Sequence, residues 1–449
     1  MSEFDAVAAR VSDRVTPDEA EREALRSAVD ALTGRIRDAV ADLPVDGRIV
    51  QVGSTARGTW LADDRDIDLF VCFPPDTDRA DLETYGLSVG RTALPDAREE
   101  YAEHPYVTGE FHGFDVDLVP CYDVEDATAI QSAVDRTPFH DAYLRERLTP
   151  ELATDVRLFK AFLMGIGAYG SDLKTRGFSG YLSELLVLEY GGFEALLRGA
   201  ADWRPPVRFD PENHGTESFD DPLVVIDPTD PTRNVAAVCA PENVARLQHY
   251  ARNLLDDPSD EPFVSADPDP IDADAVRAHL DRRGTTPVAV VFETPDIVDD
   301  QLYPQLRKSL NGIASELDRR GFKPVRSTTA AGDRAVLFVE LAVDELPTVR
   351  RHRGPPVHVR EHATGFYDAY ADGDAYGPFL DDGRYVVERS REFSTPGELL
   401  GGDAIFQVAL GTHVERALED GYELLVGEAA ASLADEFGVA FARYFDPTP

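Results

Sequence analysis

Two short segments of the chain alternate acidic and apolar residues with a period of two, and this pattern restricts the fold more than any other feature. Asp66 and Asp68 open one apolar run, and Asp115 and Asp117 lie within another, Phe114–Val119. Because successive side chains of a β-strand point to opposite faces, each pair of carboxylates lies on one face of its strand. The sequence therefore predicts two strands of a small mixed sheet, each with one acidic face.

Neighbouring carboxylates on a strand favour a bound divalent cation. Two like charges side by side cost free energy unless a cation bridges them, and Mg²⁺ takes oxygen ligands from one or two carboxylates together with substrate phosphates. We expect Asp66 and Asp68 to bind the metal, with Asp117 as a third ligand. Asp115 shares the face of Asp117 and is the alternative third ligand. An isolated Asp-x-Asp in so acidic a chain is more often a solvated strand edge, so the prediction depends on what lies nearby.

A glycine–serine pair precedes the first acidic strand, and eleven residues separate Ser54 from Asp66. The missing side chain of Gly53 lets backbone N–H groups approach a triphosphate closely. The Ser54 hydroxyl and the Arg57 guanidinium can then bind its terminal oxygens. Together with the carboxylates, this pair predicts a site for a nucleoside triphosphate and its metal.

The charge of the chain is strongly negative. Forty-four basic residues stand against 84 acidic ones, a net charge of −40, which argues against an ordinary basic nucleic-acid-binding surface. The acidic residues are spread along the whole chain, and all basic residues but Lys160, Lys174, Lys308 and Lys323 are arginines. This composition indicates a halophilic protein, because a carboxylate-covered surface stays hydrated where molar salt screens its charge. The alternative is an acidic surface that binds cations or basic partners.

The sequence predicts a cytoplasmic protein that is neither secreted nor bound to a membrane. It contains no apolar run of about 18 residues, and its first residues lack the basic and apolar regions of a signal peptide. Its cysteines, Cys72, Cys121 and Cys239, are far apart and lack metal-ligand or disulfide spacing. A reducing compartment fits this cysteine usage.

The periodicity along the chain predicts an α+β protein of several domains. Thr16 to Glu19 form a capping-box pattern before the first helix, and Gly113 lies where a hairpin turn is needed. The period becomes helical after Pro150, and repeated Asp-Pro pairs over 256–274 indicate a linker. A β-α-β unit follows, with strands at 287–292 and 334–343 around a helix at 302–319. A final helix is expected over 412–445. The predicted domains are 1–145, 146–256, 257–349, an insertion at 350–415, and 416–449.

The pattern of Gly-Ser, Asp-x-Asp and a third aspartate in an apolar strand resembles the nucleotidyltransferase superfamily typified by DNA polymerase β. Further runs look like those of the archaeal, class I CCA-adding enzymes, and this resemblance extends over essentially the whole chain. The runs are Val119–Tyr122, Arg136–His140, Arg157–Leu163, Tyr169-Gly170, Arg176–Tyr181, Asp227-Pro228 and Arg233–Ala237. The runs Arg176–Tyr181 and Arg233–Ala237 are the most specific. After residue 256 the match is mainly one of layout.

The resemblance implies a function and a set of site residues. The family adds C, C and A to the 3′ end of tRNA without a nucleic-acid template, using CTP, ATP and Mg²⁺ in two-metal nucleotidyl transfer. It implies a polymerase β-like head, a helical neck, a ferredoxin-like or RRM-like body and a small tail that binds tRNA, and it allows a homodimer. Many members carry glutamate where this chain has Asp66. The implied catalytic and metal-binding residues are Asp66, Asp68 and Asp117, and the implied nucleotide-binding residues are Ser54, Arg57, His140, Lys160, Tyr169 and Arg233.

Local sequence alone leaves other interpretations open for several of these residues. His140 could be structural, Lys160 could be a surface lysine, and Tyr169 could cap a helix end. Two other functions also remain: a poly(A) or uridylyl polymerase that reads the base differently, and a non-catalytic RNA-binding scaffold on the same fold. An Arg350–Arg353 cluster and the aromatic residues between 366 and 379 are candidates for tRNA contact.

Overall fold

The computed structural model describes residues 2–101, 103–265 and 267–449. The chain divides into two compact units, one on either side of residue 266. In the part of the chain that is described, no helix is both long enough and apolar enough to cross a membrane.

The first unit begins with helices, continues into a sheet and returns to helices. Its elements are α1 (Glu3–Val15), α2 (Glu19–Ala41), β1 (Arg48–Val52), α3 (Gly53–Arg57), β2 (Asp66–Phe73), α4 (Arg79–Ala93), β3 (Arg98–Tyr101), β4 (Pro105–Phe111), β5 (Phe114–Tyr122), α5 (Thr137–Arg147), α6 (Pro150–Gly165), α7 (Gly180–Tyr190), α8 (Phe193–Ala201), β6 (Val207–Phe209), β7 (Leu223–Asp227), β8 (Asp230–Asn234) and α9 (Pro241–Asp256).

A five-stranded mixed sheet carries the acidic strands predicted from the sequence. The strand order is β1-β2-β5-β4-β3, with β2 and β5 parallel and the other pairs antiparallel. The odd-numbered apolar residues of β2 pack with buried residues of α2 and α4 in one core. Since side chains alternate along a strand, the aspartates lie on the face opposite this core. The turn between β4 and β5 contains His112 and Gly113, both with positive φ, so a hairpin forms where the sequence predicts one.

The helices of the first unit share a second apolar core, to which α1 also contributes. Val7 and Val11 of α1 are buried with Phe159, Phe162 and Phe193. The predicted domain 1–145 therefore needs correction, because its first helix packs with the helical part rather than with the sheet. The predicted cap at Thr16 is also wrong: α2 is capped by Asp18, whose carboxylate accepts from the backbone N–H of Glu21.

The helical part extends beyond its predicted end at residue 256. Phe263 follows α9 in a 3₁₀ turn, Glu261–Phe263, and is buried in the helical core. The segment predicted as a linker is thus partly anchored by the buried side chain of Phe263. A small sheet, in the order β6-β7-β8, packs in the same core through Leu223 and Val225 of β7.

The second unit contains two sheets. Its elements are α10 (Ala273–Arg283), β9 (Thr286–Glu293), α11 (Asp299–Arg320), β10 (Pro324–Ala331), β11 (Arg334–Leu341), β12 (Val349–Pro356), α12 (Arg360–Tyr370), β13 (Tyr376–Asp381), β14 (Arg384–Ser390), α13 (Pro396–Leu400), α14 (Thr412–Asp420), β15 (Glu423–Val426) and α15 (Ala434–Phe445).

The larger sheet of this unit is antiparallel in the order β10-β11-β9-β15. One face packs on α11 and the other packs on α10 and α15. Because β11 lies between β9 and β10, the segment from β9 through α11 to β10 is a split β-α-β unit. The strands predicted at 287–292 and 334–343 and the helix predicted at 302–319 correspond to β9, β11 and α11.

The C-terminal part of the second unit differs from the prediction in two ways. The inserted subdomain, with sheet order β12-β14-β13, ends at Ser390 rather than at residue 415. Leu399, Ile405 and Val414 beyond it are buried in the core of the larger sheet. The single helix predicted over 412–445 is interrupted by β15, which pairs with the free edge of β9. Gly421 and Gly427, both with positive φ, flank this strand and end the helical path.

Candidate active site

The carboxylates on β2 and β5 lie side by side because these two parallel strands pair in register. Asp66 is opposite Asp115 and Asp68 is opposite Asp117. Asp66 is exposed, whereas Asp68 and Asp117 are half-buried. Thr108 of β4 pairs with Asp117 on its other side. The strand register thus brings together the aspartates that the sequence predicts as one group.

This group carries more negative charge than its surroundings compensate. Burial, followed by the charges of Asp117 and Asp66, raises the pKa of Asp68 to about 7. Burial and the nearby Asp64 raise the pKa of Asp66 to about 6. Burial also raises the pKa of Asp117, against the opposing effect of a hydrogen bond from Thr108. Neighbouring carboxylates add to the effect of burial at all three residues, and a cation bound between them would offset that repulsion.

The ligand types suit a divalent cation. Carboxylate oxygens are the hard ligands that Mg²⁺ prefers, and a site of this kind leaves coordination positions for water and phosphate. Among the residues with described positions, however, no three acidic, histidine or cysteine side chains already surround one point. The register of β2 and β5 nevertheless places the backbones of Asp68 and Asp117 side by side. Residues and cation therefore fit in chemistry and in backbone placement.

The short helix α3 begins beside these carboxylates. Val52, the last residue of β1, pairs with Asp68, and Gly53 follows with φ +82°. A Cβ atom on Gly53 would overlap Asp68 Oδ2, so only glycine permits this approach. Ser54 follows in the first turn of α3 and is half-buried. The structure thus places the glycine–serine pair directly against the acidic strands.

Arg57, at the end of α3, contacts two carboxylates of the helical part. Its Nη2 and Nε donate to Glu184 at 2.8 and 3.2 Å, and its Nη1 donates to Asp141 at 2.6 Å. These bonds use three of the five N–H groups of the guanidinium. Contact between Arg57 and a triphosphate would use the remaining ones and stays a prediction.

Lys160 is buried on α6, with 2% of its surface exposed. Its Nζ donates to the carbonyl oxygen of Thr59 at 3.2 Å and lies 3.8 Å from Glu184 Oε1. Burial lowers the pKa of Lys160, and the charge of Glu184 opposes that effect. Lys160 is therefore not a surface lysine, and the chain itself supplies an anionic partner.

Tyr169 lies close to Lys160, beyond the end of α6. It forms an isolated β-bridge with Phe178, and a Cβ on Gly180 would be 3.2 Å from Tyr169 Oη and 3.7 Å from Lys160 Nζ. Burial raises the pKa of the Tyr169 hydroxyl, which keeps it a hydrogen-bond donor. The two residues are thus neighbours in space, whatever they bind.

His140 and Arg233 meet at a different carboxylate, Asp227. Asp227 Oδ2 lies 2.8 Å from His140 Nε2 and 2.7 Å from Arg233 Nη1. The His140 ring also stacks on Tyr181, with ring centroids 4.0 Å apart. Of the predicted nucleotide-binding residues, Arg57 and Lys160 therefore meet at Glu184, whereas His140 and Arg233 meet at Asp227.

Sequence reasoning assigned no role to the carboxylates at the centres of these groups. Glu184 is fully buried in α7 beside the buried Leu185 and Leu186, and an acidic residue buried in such a helix signals a charged partner. Asp227 ends the fully buried strand β7 and carries a similar signal. Glu184 and its partner Arg57 are 127 residues apart, and Asp227 and His140 are 87 residues apart, which explains why spacing alone does not reveal these contacts.

Comparison with known families accounts for most of the chain. The profile of the nucleotidyltransferase domain matches residues 34–140, and that of the second domain of tRNA nucleotidyltransferase matches residues 154–264. The profile of the C-terminal domain of CCA-adding enzymes matches residues 283–427. The three matches follow one another in the order of the domains described above.

Similar proteins from archaea span the same length. A CCA-adding enzyme of Haloarcula marismortui is 60% identical, covering 100% of this chain and 99% of the relative. One from Halobacterium salinarum is 58% identical over the full length of both, and one from Methanoregula boonei is 45% identical over 94% of this chain and 92% of the relative. With the site geometry, these similarities show that the chain belongs to the family of CCA-adding enzymes and is a nucleotidyltransferase.

Proposed function

We propose that this enzyme adds C, C and A to the 3′ end of tRNA, taking the nucleotides from CTP and ATP. The observation that carries the chemistry is the in-register pairing of Asp68 with Asp117 beside the start of α3. Two carboxylates on adjacent strands and a glycine-initiated turn bring a metal-bound triphosphate and a hydroxyl nucleophile to one place. We infer the product, a tRNA that ends in CCA, from membership of the family of CCA-adding enzymes.

Asp66, Asp68 and Asp117 are the residues that would hold Mg²⁺. When bound, Mg²⁺ would supply Lewis-acid stabilisation of the charge that develops on the triphosphate. Asp117 lies nearest the β4 side of the sheet, where we place the primer 3′-hydroxyl, and it accepts the hydroxyl proton. The Ser54 hydroxyl and the N–H groups of α3 bind the terminal phosphates, which fixes the α-phosphate for in-line attack.

The helical part of the first unit supplies the remaining contacts to the nucleotide. Lys160 and Tyr169 bind the triphosphate beside α3, and Arg57 binds it with the N–H groups that Glu184 and Asp141 leave free. His140 binds the nucleotide, and Arg233 faces the edge of the base. Cytosine and adenine present an acceptor nitrogen at the centre of their pairing edge, whereas guanine and uracil present an N–H. Because arginine only donates hydrogen bonds, Arg233 can bond to this position of cytosine and adenine but not to that of guanine and uracil.

We assign the sheet of the first unit as the head, its helical part as the neck, and the larger sheet of the second unit as the body. The inserted subdomain of β12, α12, β13 and β14 is then the tail. Arg350, Arg351 and Arg353 on β12 are our candidates for contact with the tRNA. In concentrated salt, such contacts depend on shape and a few arginines more than on counterion release. A homodimer and a cytoplasmic location stay predictions.

The direct test is an addition assay in concentrated KCl, with Mg²⁺, CTP, ATP and a tRNA transcript that ends at the discriminator base. Sequencing of the 3′ ends should show C, C and A followed by arrest, and Asp68→Asn should abolish the addition. An unlimited A tail or U tail would identify another terminal nucleotidyltransferase. A folded protein that binds tRNA and adds nothing would identify the non-catalytic scaffold.

A matched pair of variants identifies the third metal ligand. Asp117→Asn and Asp115→Asn change the same strand at positions two residues apart, one half-buried and one exposed. We expect the first to abolish addition and the second to retain most of it. The reverse result would assign Asp115 as the ligand. The melting temperature of each variant separates loss of chemistry from loss of folding.

A further inference from the structure

A buried carboxylate joins helix α5 to the hairpin of β7 and β8. Asp227, at the end of β7, is fully buried. Its Oδ2 accepts from His140 Nε2 at 2.8 Å and from Arg233 Nη1 at 2.7 Å. Its Oδ1 accepts from the backbone N–H and the hydroxyl of Thr229 at 2.9 and 2.8 Å. Every strong donor around the carboxylate is thus directed at it from α5, β8 or the turn after β7.

Neighbouring residues contact both the face and the edge of the His140 ring. Its ring stacks on Tyr181 at an interplanar angle of 18°, and Tyr181 Oη lies 3.4 Å from Asp227 Oδ1. His214 Nε2 lies 3.0 Å from the carbonyl oxygen of Asp227 and so contacts the backbone of the same residue. The imidazole therefore has one orientation, set by a carboxylate at Nε2 and a tyrosine ring at its face.

The chemistry of the carboxylate determines which atoms stay available. Burial alone would raise the pKa of Asp227, but the hydrogen bond and charge of His140 outweigh it and hold the pKa well below its usual range. An ionised carboxylate only accepts hydrogen bonds, so His140 Nε2 carries a proton and Nδ1 is the ring nitrogen that can contact a ligand. The side chain of Arg233 keeps 38% of its surface exposed, so part of its planar fork stays free to meet a base.

We propose that Asp227 is a positioning residue that aligns His140 and Arg233 and thereby sets which nucleotide base the enzyme accepts. This inference rests on the proposed function, in which those two residues contact the incoming nucleotide. An arginine distinguishes bases only if its fork keeps a fixed direction, and a long flexible side chain loses that direction without a partner. The carboxylate of Asp227 is that partner for Arg233, and it also bonds to His140. One residue therefore sets the direction of both side chains.

The substitution Asp227→Asn tests this arrangement at constant size. An amide has one acceptor oxygen and one donor group. If its oxygen takes the place of Oδ2, the NH₂ group faces the donors of Thr229; in the opposite orientation it faces His140 and Arg233. One set of donors therefore loses its acceptor in either orientation. We expect KM for CTP to rise about tenfold, and incorporation of U from UTP to rise relative to C.

A double-mutant comparison separates positioning from a general structural role. If Asp227 acts through Arg233, the variant Arg233→Gln lowers C-over-U selectivity, and adding Asp227→Asn lowers it no further. Losses of selectivity that multiply in the double variant would overturn the proposal. So would an Asp227→Asn variant with unchanged selectivity and merely lower kcat.

Asp230→Asn is the matched control. Asp230 lies in the same hairpin and pairs with Arg136 at 3.0 Å and with Thr232. Like Asp227, it accepts from a threonine two residues later and forms an ion pair, but its partners are Thr232 and Arg136 rather than His140 and Arg233. We expect this variant to lose stability without losing selectivity. If Asp227→Asn does not fold, Thr229→Val removes one donor at 2.8 Å and leaves the charge, and we expect a two- to threefold loss of selectivity from it.

Equilibrium binding distinguishes failure of this inference from failure of the proposed function. Titration of the full chain with CTP and with UTP reports base preference without turnover. If the wild-type protein prefers CTP and Asp227→Asn does not, the positioning role stands even if no CCA is added to tRNA. If both proteins show the same preference while the wild type adds CCA, the proposed function stands and the role of Asp227 is overturned.

Discussion

Arg57 Nη2 lies 2.8 Å from Glu184 Oε2, and this ion pair joins the helix that begins at the acidic strands to the centre of a buried helix. The side chain of Arg57 is 9% exposed and that of Glu184 is fully buried. Glu184 also accepts from the Thr59 hydroxyl and lies near Lys160. One carboxylate thus fixes α3, and with it Gly53 and Ser54, relative to the helical part that carries Lys160.

Replacing Glu184 should destabilise the first unit strongly. Glu184→Gln leaves two buried cations with less compensating charge, which costs about 3 kcal/mol of unfolding free energy. Urea unfolding in concentrated KCl measures the change. The control is Glu194→Gln, which breaks an exposed Arg198 pair on the adjacent helix and should cost about 0.5 kcal/mol or less. Equal losses in the two variants would contradict a special role for Glu184.

Gly53 begins α3 and Gly58 follows its last residue, and the two glycines form a second matched pair. Both have positive φ, so alanine strains the backbone at either position by roughly 1 kcal/mol. A Cβ on Gly53 would overlap Asp68 Oδ2, whereas a Cβ on Gly58 would have open space. We expect Gly53→Ala to lose nucleotide addition at least a hundredfold and Gly58→Ala to keep it. Similar activity in both variants would show that the approach of Gly53 to Asp68 is not needed for catalysis.

Glu340 should contribute to the loss of stability of the second unit at acidic pH. Burial raises the pKa of Glu340, but hydrogen bonds from Arg283, Thr285 and Tyr444 outweigh that effect, so the pKa is lowered overall. A lowered pKa in the folded state contributes stability above the unfolded value of about 4.3 and loses it as pH falls further.

The stability difference between wild type and Glu340→Gln measures that contribution. It should be constant above about pH 5 and shrink as the pH falls below about 4.3. Unfolding by urea at a series of pH values gives the curve. A difference that stays level down to pH 3 would show that Glu340 does not titrate with folding.

The excess of acidic residues predicts that stability rises with salt. A net charge of −40 repels itself at low ionic strength, and the Debye length falls from about 10 Å at 0.1 M salt to about 3 Å at 1 M. We expect the melting temperature to rise by more than about 10 °C between 0.1 and 2 M KCl. Sucrose at matched osmolality serves as the control, because it stabilises folded proteins without screening charge. A flat response to KCl would argue against salt adaptation.

The sequence predicts the local elements of this protein well wherever one face is buried. The acidic strands, the turn at Gly113, and the elements at 287–292, 302–319 and 334–343 appear where periodicity places them. It also brings Asp66, Asp68 and Asp117 together, because two strands with matching alternation present their polar faces at one place when they pair. Periodicity indicates which face of an element is buried, and this information is sufficient to predict these elements and the common face of the aspartates.

Only the tertiary structure decides what covers each element. The apolar pattern of an element does not specify which other element will cover it. In the structure, α1 packs in the helical core and residues 399–414 pack on the larger sheet of the second unit. Part of a predicted helix is instead β15, which pairs with an open strand edge. The partners of Arg57 and Lys160 are settled in the same way, since Arg57 and Glu184 are 127 residues apart. The sequence alone determines the chemistry of the acidic strands and their local structure. The long-range packing decides which charges meet, because burying a charge requires a partner that only the folded chain can bring to it.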